Sequence, residues 1–317
     1  MGEMTQNQQS SVQRASTATT TEASSVSHRT LKRLAVASLI ANIAIVVTGG
    51  AVRLTSSGLG CPTWPRCTDD SFVVQGELGW HGAVEFGNRM FTWVLAAVAV
   101  ATWVAAMRYR PRRSSLRRLA TVLALGIPAQ ALIGGVTVLT ELNPWTVSLH
   151  LLLSMAMIGV AVLFIRRLDE ADGPVRPTVP PAVVRLTQLT FVVSWLVLYA
   201  GTVVTGAGPH AGDAGAARNG LRPGLMSQIH ADLVFLLVGL TLATLLAFKA
   251  VGAPELAQRA ATWLLVLELV QGLIGFVQYF TDLPVLLVGA HLLGAALVSA
   301  AATWMLLGIR ERVLERG

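Results

Sequence analysis

Eight stretches of this sequence are apolar for about twenty residues each, and no other feature constrains its fold as strongly. They cover about 33–53, 84–107, 119–139, 146–166, 184–206, 227–249, 261–280 and 285–308. A run of that length crosses the hydrocarbon core of a bilayer as a helix, which satisfies every backbone N–H and C=O internally. Composition agrees, since 53% of the residues are hydrophobic and only 13% are charged, against about 25% charged in soluble domains. The expected fold class is an all-α integral membrane protein with eight transmembrane helices.

The net charge of +7 is not a nucleic-acid footprint. Basic or mixed connections fall at "RYRPRRSSLRR" (108–118), "RRLDEADGPVRP" (166–177), "FKAVGAPELAQR" (248–259) and "IRERVLERG" (309–317), whereas 139–146, 207–226 and 281–285 hold little Lys or Arg. The positive-inside rule then places both termini in the cytoplasm of a multi-pass cell-membrane protein. Residues 1–32 are polar, rich in Ser, Thr and Gln, and lack an apolar core, so they are expected to be a disordered cytoplasmic tail and not a signal peptide. His28 lies in that tail and carries no functional weight. Residues 169–183 form a cytoplasmic linker and 309–317 a second cytoplasmic tail.

An internal repeat organises the rest. "QALIGGVTVLTELNPWTVSLHLL" (130–152) aligns without gaps on "QGLIGFVQYFTDLPVLLVGAHLL" (271–293), an offset of 141 residues. Gln130 matches Gln271, Gly134 matches Gly275, Thr140 matches Thr281 and His150 matches His291. Weaker similarity links "VVTGGAVRL" (46–54) to "GTVVTGAGP" (201–209). The chain therefore reads as two parallel-repeat four-helix bundles, an N-terminal half over 33–168 and a C-terminal half over 184–308.

This topology puts His150, His230 and His291 at one depth, toward the outer leaflet. Polar residues at membrane depth are costly and tend to be functional. The bland alternative is that each imidazole merely binds a neighbouring helix. Two His on facing helices of a bundle suit the axial positions of a haem, and Gly289, Ala290, Gly294 and Ala295 leave room for a flat macrocycle. A metal-ion site fits less well, because only Asp232 lies nearby in sequence.

The first half differs. The offset carries His230 to position 89, and a slip of one residue gives Asn88, so no His stands at the equivalent place. His81 lies about two turns earlier. Glu85 shares a helix face with both His81 and Arg89 at i, i+4 spacing. Glu85 is either an outer-surface partner of Arg89 or a general base or charge stabiliser. Cys61 and Cys67, in the long outer loop of about 54–83, are open to three readings: a bracing disulfide, two free thiols or a redox pair. Arg53 and Arg89 either meet haem propionates or snorkel to headgroups. His210, in a Gly-rich loop, is expected to have no partner. A matched pair in one half and a mixed set in the other suggest a bound cofactor in one and chemistry in the other.

"TGGAVRLTSSGLGCPTWPRC" (48–67), "EFGNR" (85–89) and the later His150, His230 and His291 resemble the haem A synthase family over about residues 33–308. The resemblance implies an eight-helix oxidoreductase that converts the C8 methyl group of haem O to the formyl group of haem A for aa3-type terminal oxidases. It implies resident haem b on His230 and His291, His150 on the substrate haem iron, catalytic Glu85 and paired Cys61 and Cys67. The implied partners are haem O synthase, an electron donor such as a ferredoxin, terminal-oxidase assembly and the lipid bilayer, with no nucleic acid and with room for a homo-oligomer. In place of the family's "ExxHR" this chain has Asn88, so the substrate side holds either His81 or Asn88. His230 is followed by Ala231 and Asp232 where the family pattern has a basic residue. Two rivals remain, a two-haem membrane cytochrome that only passes electrons, for example to or from quinone, and a parallel-repeat transporter or chaperone that leaves its ligand unchanged.

Overall fold

A computed structural model of the chain describes residues 26–74 and 79–312. It contains eight long helices: α1 (His28–Leu54), α2 (Gly79–Arg108), α3 (Ser114–Leu139), α4 (Pro144–Leu168), α5 (Pro181–Ala207), α6 (Pro223–Ala250), α7 (Glu255–Phe280) and α8 (Val285–Gly308). Each is long and apolar enough to cross a membrane. Every apolar run read from the sequence lies inside one of them, and the helices extend beyond the runs because polar end residues project past the hydrocarbon.

The first helix begins at His28, inside the stretch expected to be a tail. Ser27 caps it, accepting a hydrogen bond from the Thr30 N–H at 3.2 Å. His28 and Lys32 both pair with Asp169, at 3.2 and 2.8 Å. The remainder of the proposed tail, residues 1–25, lies outside the described residues. Pro144, Pro181 and Pro223 open their helices, where a missing N–H costs nothing.

Helices α1 to α4 pack in a ring, each on the next and α4 back on α1; α5 to α8 do the same. Within each ring the second and fourth helices are diagonal. The rings meet where α4 packs on α8, with α1 against α8 and α5 against α4. Val46, Met155, Ile158 and Ala296 fill this seam. Small residues let the backbones close there: Gly50 lies against Leu292, and Gly159 against the Thr303 hydroxyl. The Ser299 hydroxyl donates to the Met155 carbonyl at 3.0 Å.

The turns after α3 and α7 share one backbone. Glu141 and Leu142 have φ of 52° and 59°, and Asp282 and Leu283 have 55° and 58°. Left-handed non-glycine residues cost about 1–2 kcal/mol each, offset here by equivalent bonds from Leu142 N to Thr137 O and from Leu283 N to Gln278 O.

At the opposite end, β1 (Val175–Pro177) pairs antiparallel with β2 (Arg310–Arg312). Arg167 lies buried beneath, bonded to Glu170 at 3.2 Å and Asp172 at 2.8 Å, and Arg113 also reaches Asp172 at 2.8 Å. Residues read as linker and second tail are thus joined by backbone hydrogen bonds, while residues 313–317 lie outside the described set. Large apolar side chains such as Trp93, Leu132, Leu242 and Leu273 face outward, as a lipid-facing surface requires.

Candidate functional site

His230 on α6 and His291 on α8 come together across the diagonal of the second ring. Their ring centroids are 6.4 Å apart and their planes are inclined at 75°. In each ring Nδ1 is buried against its surroundings, so Nε2 is the nitrogen that could face a ligand between the rings. Two imidazole nitrogens each about 2 Å from one metal put ring centroids about 6 Å apart, so this pair could hold a metal between its Nε2 atoms. Among the described residues no three His, Cys, Asp or Glu side chains cluster as metal ligands. The site therefore suits a metal that brings its own in-plane ligands, as haem iron does.

Glycines line each imidazole, and the one beside His230 is tight. A Cβ on Gly201 would stand 3.2 Å from His230 Cε1, and one on Gly275 would stand 3.8 Å from His291 Cε1. The first ring repeats the device, with Gly134 at 3.4 Å from His150 Cε1. His150 likewise has a buried, unbonded Nδ1. Beside it the Gln130 amide donates to Ser154 Oγ at 2.9 Å.

The diagonal partner helix, α2, presents no imidazole at that depth. Asn88 Oδ1 accepts a hydrogen bond from the Thr48 hydroxyl at 2.8 Å. His81 lies two turns nearer the loop, its Nδ1 3.0 Å from Ser57 Oγ. Its backbone carbonyl packs against Gly60, where a side chain would collide.

Glu85 is buried and fully engaged. One oxygen accepts the Cys61 N–H at 2.7 Å; the other accepts Arg89 Nε and Nη2 at 3.1 and 2.6 Å. Arg89 also donates to the carbonyls of Cys61, Thr63 and Arg66. The pair clasps the outer loop to α2. Cys61 and Cys67 form a disulfide within that loop and both are buried, which sets aside the reading as free thiols. Trp64, between them, lies on Gly135 of α3, next to the glycine that faces His150. The loop thereby roofs the first ring.

Arg53 points across the seam. Its Nε donates to the His210 carbonyl at 2.5 Å and its Nη2 to the Thr205 carbonyl at 3.0 Å. His210, expected to lack a partner, bonds through Nε2 to the Leu283 carbonyl at 2.9 Å. The Gly-rich loop is thus tied down by long-range contacts that no local sequence pattern reveals. Asp232 accepts from Gln228 at 2.7 Å on an exposed turn. Sequence reasoning missed Trp64, Ser154 and above all Glu268, although a carboxyl inside an apolar run is itself a signal.

Such features define a polytopic helical membrane protein with a histidine pair in one four-helix ring and a single roofed histidine in the other. The chain belongs to the COX15-CtaA family, described as cytochrome oxidase assembly protein, whose profile it matches over residues 32–83 and 77–231. It is also similar to proteins named Heme A synthase. That of Geobacillus kaustophilus is 28% identical over 138 residues, covering 42% of this chain and 41% of the relative. That of Geobacillus thermodenitrificans is 32% identical over 127 residues, 38% of each chain. That of Lysinibacillus sphaericus is 28% identical over 146 residues, 46% of this chain and 47% of the relative. The chain thus spans less than half the length of these relatives.

Proposed function

We propose that this protein is a haem A synthase, an oxidoreductase converting the C8 methyl group of haem O, its substrate, to the formyl group of haem A for aa3-type terminal oxidases. The observation that carries this reading is the inequality of the two pockets. One offers a facing His pair; the other offers His150 opposite Asn88 under a disulfide-braced roof. Family membership and the relatives named Heme A synthase support it. An electron carrier with two equivalent haems would need four histidines, and Asn88 breaks that set.

In this reading residues 33–168 form the substrate half and 184–308 the haem b half, related as a parallel repeat. The protein lies in the cell membrane with both termini cytoplasmic and its histidines toward the outer leaflet. Haem O arrives from haem O synthase, and a donor such as a ferredoxin supplies electrons. His230 and His291 would hold haem b through Nε2, and that group supplies one-electron redox chemistry when bound.

His150 holds the substrate iron. Asn88 Oδ1 is taken by Thr48 and His81 Nδ1 by Ser57, so on the opposite side of the substrate either the Asn88 amide or His81 Nε2 stands nearest. Glu85 accepts hydrogen bonds at both oxygens, so it serves as a fixed negative charge for a cationic centre developing at the methyl carbon. Two successive hydroxylations, each consuming one dioxygen, two electrons from the donor and two protons and releasing one water, would take the methyl group to a hydroxymethyl group and then to a gem-diol, which loses water to become the aldehyde. Arg53 and Arg89, spent largely on carbonyl groups, act by holding the outer loops in place.

The test is expression in cells that make haem O but no haem A, followed by extraction and chromatography of the pigments. Haem A or its hydroxymethyl precursor is expected beside haem B. Glu85→Gln should keep haem B and lower the oxidised products by about 100-fold or more. Haem B alone, in cells shown to contain haem O, overturns the reading.

A further inference from the structure

Glu268 lies near the middle of α7, only 3% exposed, and has no role in the mechanism above. Its Oε1 accepts a hydrogen bond from the Thr241 hydroxyl of α6 at 2.8 Å, and its Oε2 is buried without a partner. A carboxyl at this depth is expensive to keep unless it serves a purpose. The first ring shows that the packing does not require it. The offset of 141 residues carries Glu268 to Ile127, and the offset that joins His230 to Asn88 carries Thr241 to Ala99. Ala99 and Ile127 pack in one apolar cluster. The second ring has thus replaced an apolar contact by a carboxyl–hydroxyl pair.

The position of that pair is specific. Glu268, Gln271 and Gly275 follow one face of α7 at i, i+3 and i+7, and Gly275 is the residue facing His291. Gln271 packs against Gly294, one turn beyond His291 on α8, and its buried Oε1 also lacks a partner. On α6, Thr241 lies 11 residues after His230, again on the same face. Glu268 is therefore about 10 Å along α7 from the level of Gly275 and His291, with one amide side chain between, and Thr241 is about 16 Å along α6 from His230. On its other side Thr244 bonds to Thr190 of α5 at 2.8 Å, both buried. Thr190, Thr244 and Thr241 thus set three buried hydroxyls beside and beyond the carboxyl.

No countercharge is near. The titratable groups on the helices packed against α7 are His230, Asp232 and Lys249 on α6 and His291 on α8. Asp232 and Lys249 are exposed and about 13 and 12 Å along α6 from Thr241. Arg185 and Tyr199 of α5 are exposed, as are Glu255, Arg259 and Tyr279 toward the ends of α7. Among these described groups only His230 and His291 are not exposed, so a charge held by the His pair is the one least screened by solvent.

We propose that Glu268, with Thr241, is the proton-binding site coupled to reduction at the His230/His291 centre. This rests on the haem b reading above. With one electron added at that centre by an external one-electron donor, the Glu268 carboxylate would take up one proton from water and an O–H bond would form. On reoxidation that bond breaks and the proton returns to water. Charge in the low-dielectric interior is thereby balanced at each step.

The experiment is a redox titration of the purified holoprotein between pH 5.5 and 9, followed by visible absorbance, with reduced-minus-oxidised infrared spectra beside it. Wild type should show a midpoint potential that falls with pH over part of this range, approaching about 59 mV for each tenfold change in proton concentration. It should also show a carboxylic-acid band that rises on reduction. Glu268→Gln should keep the haem and lose both signals. Thr241→Val keeps the carboxyl and should shift the pH at which the slope changes; it stands in if Glu268→Gln does not assemble. A flat wild-type titration, a Glu268→Gln protein that retains the slope, or a Thr241→Val protein with an unmoved break would each overturn the proposal. Protein that is folded but binds no haem would instead overturn the haem b reading.

Discussion

The two rings share a scaffold and differ in what they hold. Gly134 faces His150 as Gly275 faces His291, and both rings enter their fourth helix through the same left-handed turn. Across the diagonal one ring has Asn88 and the other His230. Deeper inside, Ala99 and Ile127 stand where the other ring has Thr241 and Glu268. Above them, Gly135 receives Trp64 from the disulfide loop, whereas its counterpart Phe276 is exposed. On one shared scaffold, these positions are where the two pockets differ.

The sharpest way to break this contrast is to remove one histidine from each ring. His291→Ala should weaken haem retention by more than about 100-fold, beyond the usual loss for a supporting residue, as read by the absorbance of the purified protein. His150→Ala should leave that absorbance intact and abolish methyl oxidation. Equal pigment loss in both would mean that the rings do not divide the work as argued. A subtler test makes the rings alike. Asn88→His restores a pair in the first ring, and bound haem should rise from one to about two per chain, with less product formed. An unchanged haem count would place residue 88 away from the iron.

The eight helices were legible because an apolar run of twenty residues has one stable solution in lipid. The His pair was legible because the order of the spans puts His230 and His291 at one depth on parallel helices. Glu85 and Arg89 could be paired from their i, i+4 spacing, but not their hold on the Cys61, Thr63 and Arg66 carbonyls. Backbone groups carry no sequence signature, so bonds such as Arg53 to His210 appear only once the loops are in place. The start of α1 was missed for a similar reason: Ser27 and His28 read as polar tail until Asp169, far along the chain, arrives beside them. Glu268 was visible as a lone acid but had no meaning until Thr241 and the apolar counterpart in the first ring gave it one.

The smallest predicted effect lies at the membrane's charged edge, where the halves are joined. Burial alone would push the Asp172 carboxyl up, but the hydrogen bonds and charges of Arg113 and Arg167 outweigh it and hold it below the usual carboxylate range. Its contribution to stability is complete above the ordinary aspartate value of about 4 and is lost as pH falls through the lower folded value. Asp172→Asn should therefore lower the melting temperature at pH 7 by no more than about 2 °C, because the side chain is half exposed. That gap should close in acid. A gap that widens below pH 4 would mean that the carboxylate destabilises this corner.

The strand pair at that corner also sets an order of events during biosynthesis. Residues 175–177 leave the ribosome long before residues 310–312, and they have no strand partner until α8 has been made and inserted. Until then Arg312 has not reached the Gly173 carbonyl. Pairing of the strands closes residues 175–312, and with them the second ring, into a loop, so it can be completed only after the last helix has been made.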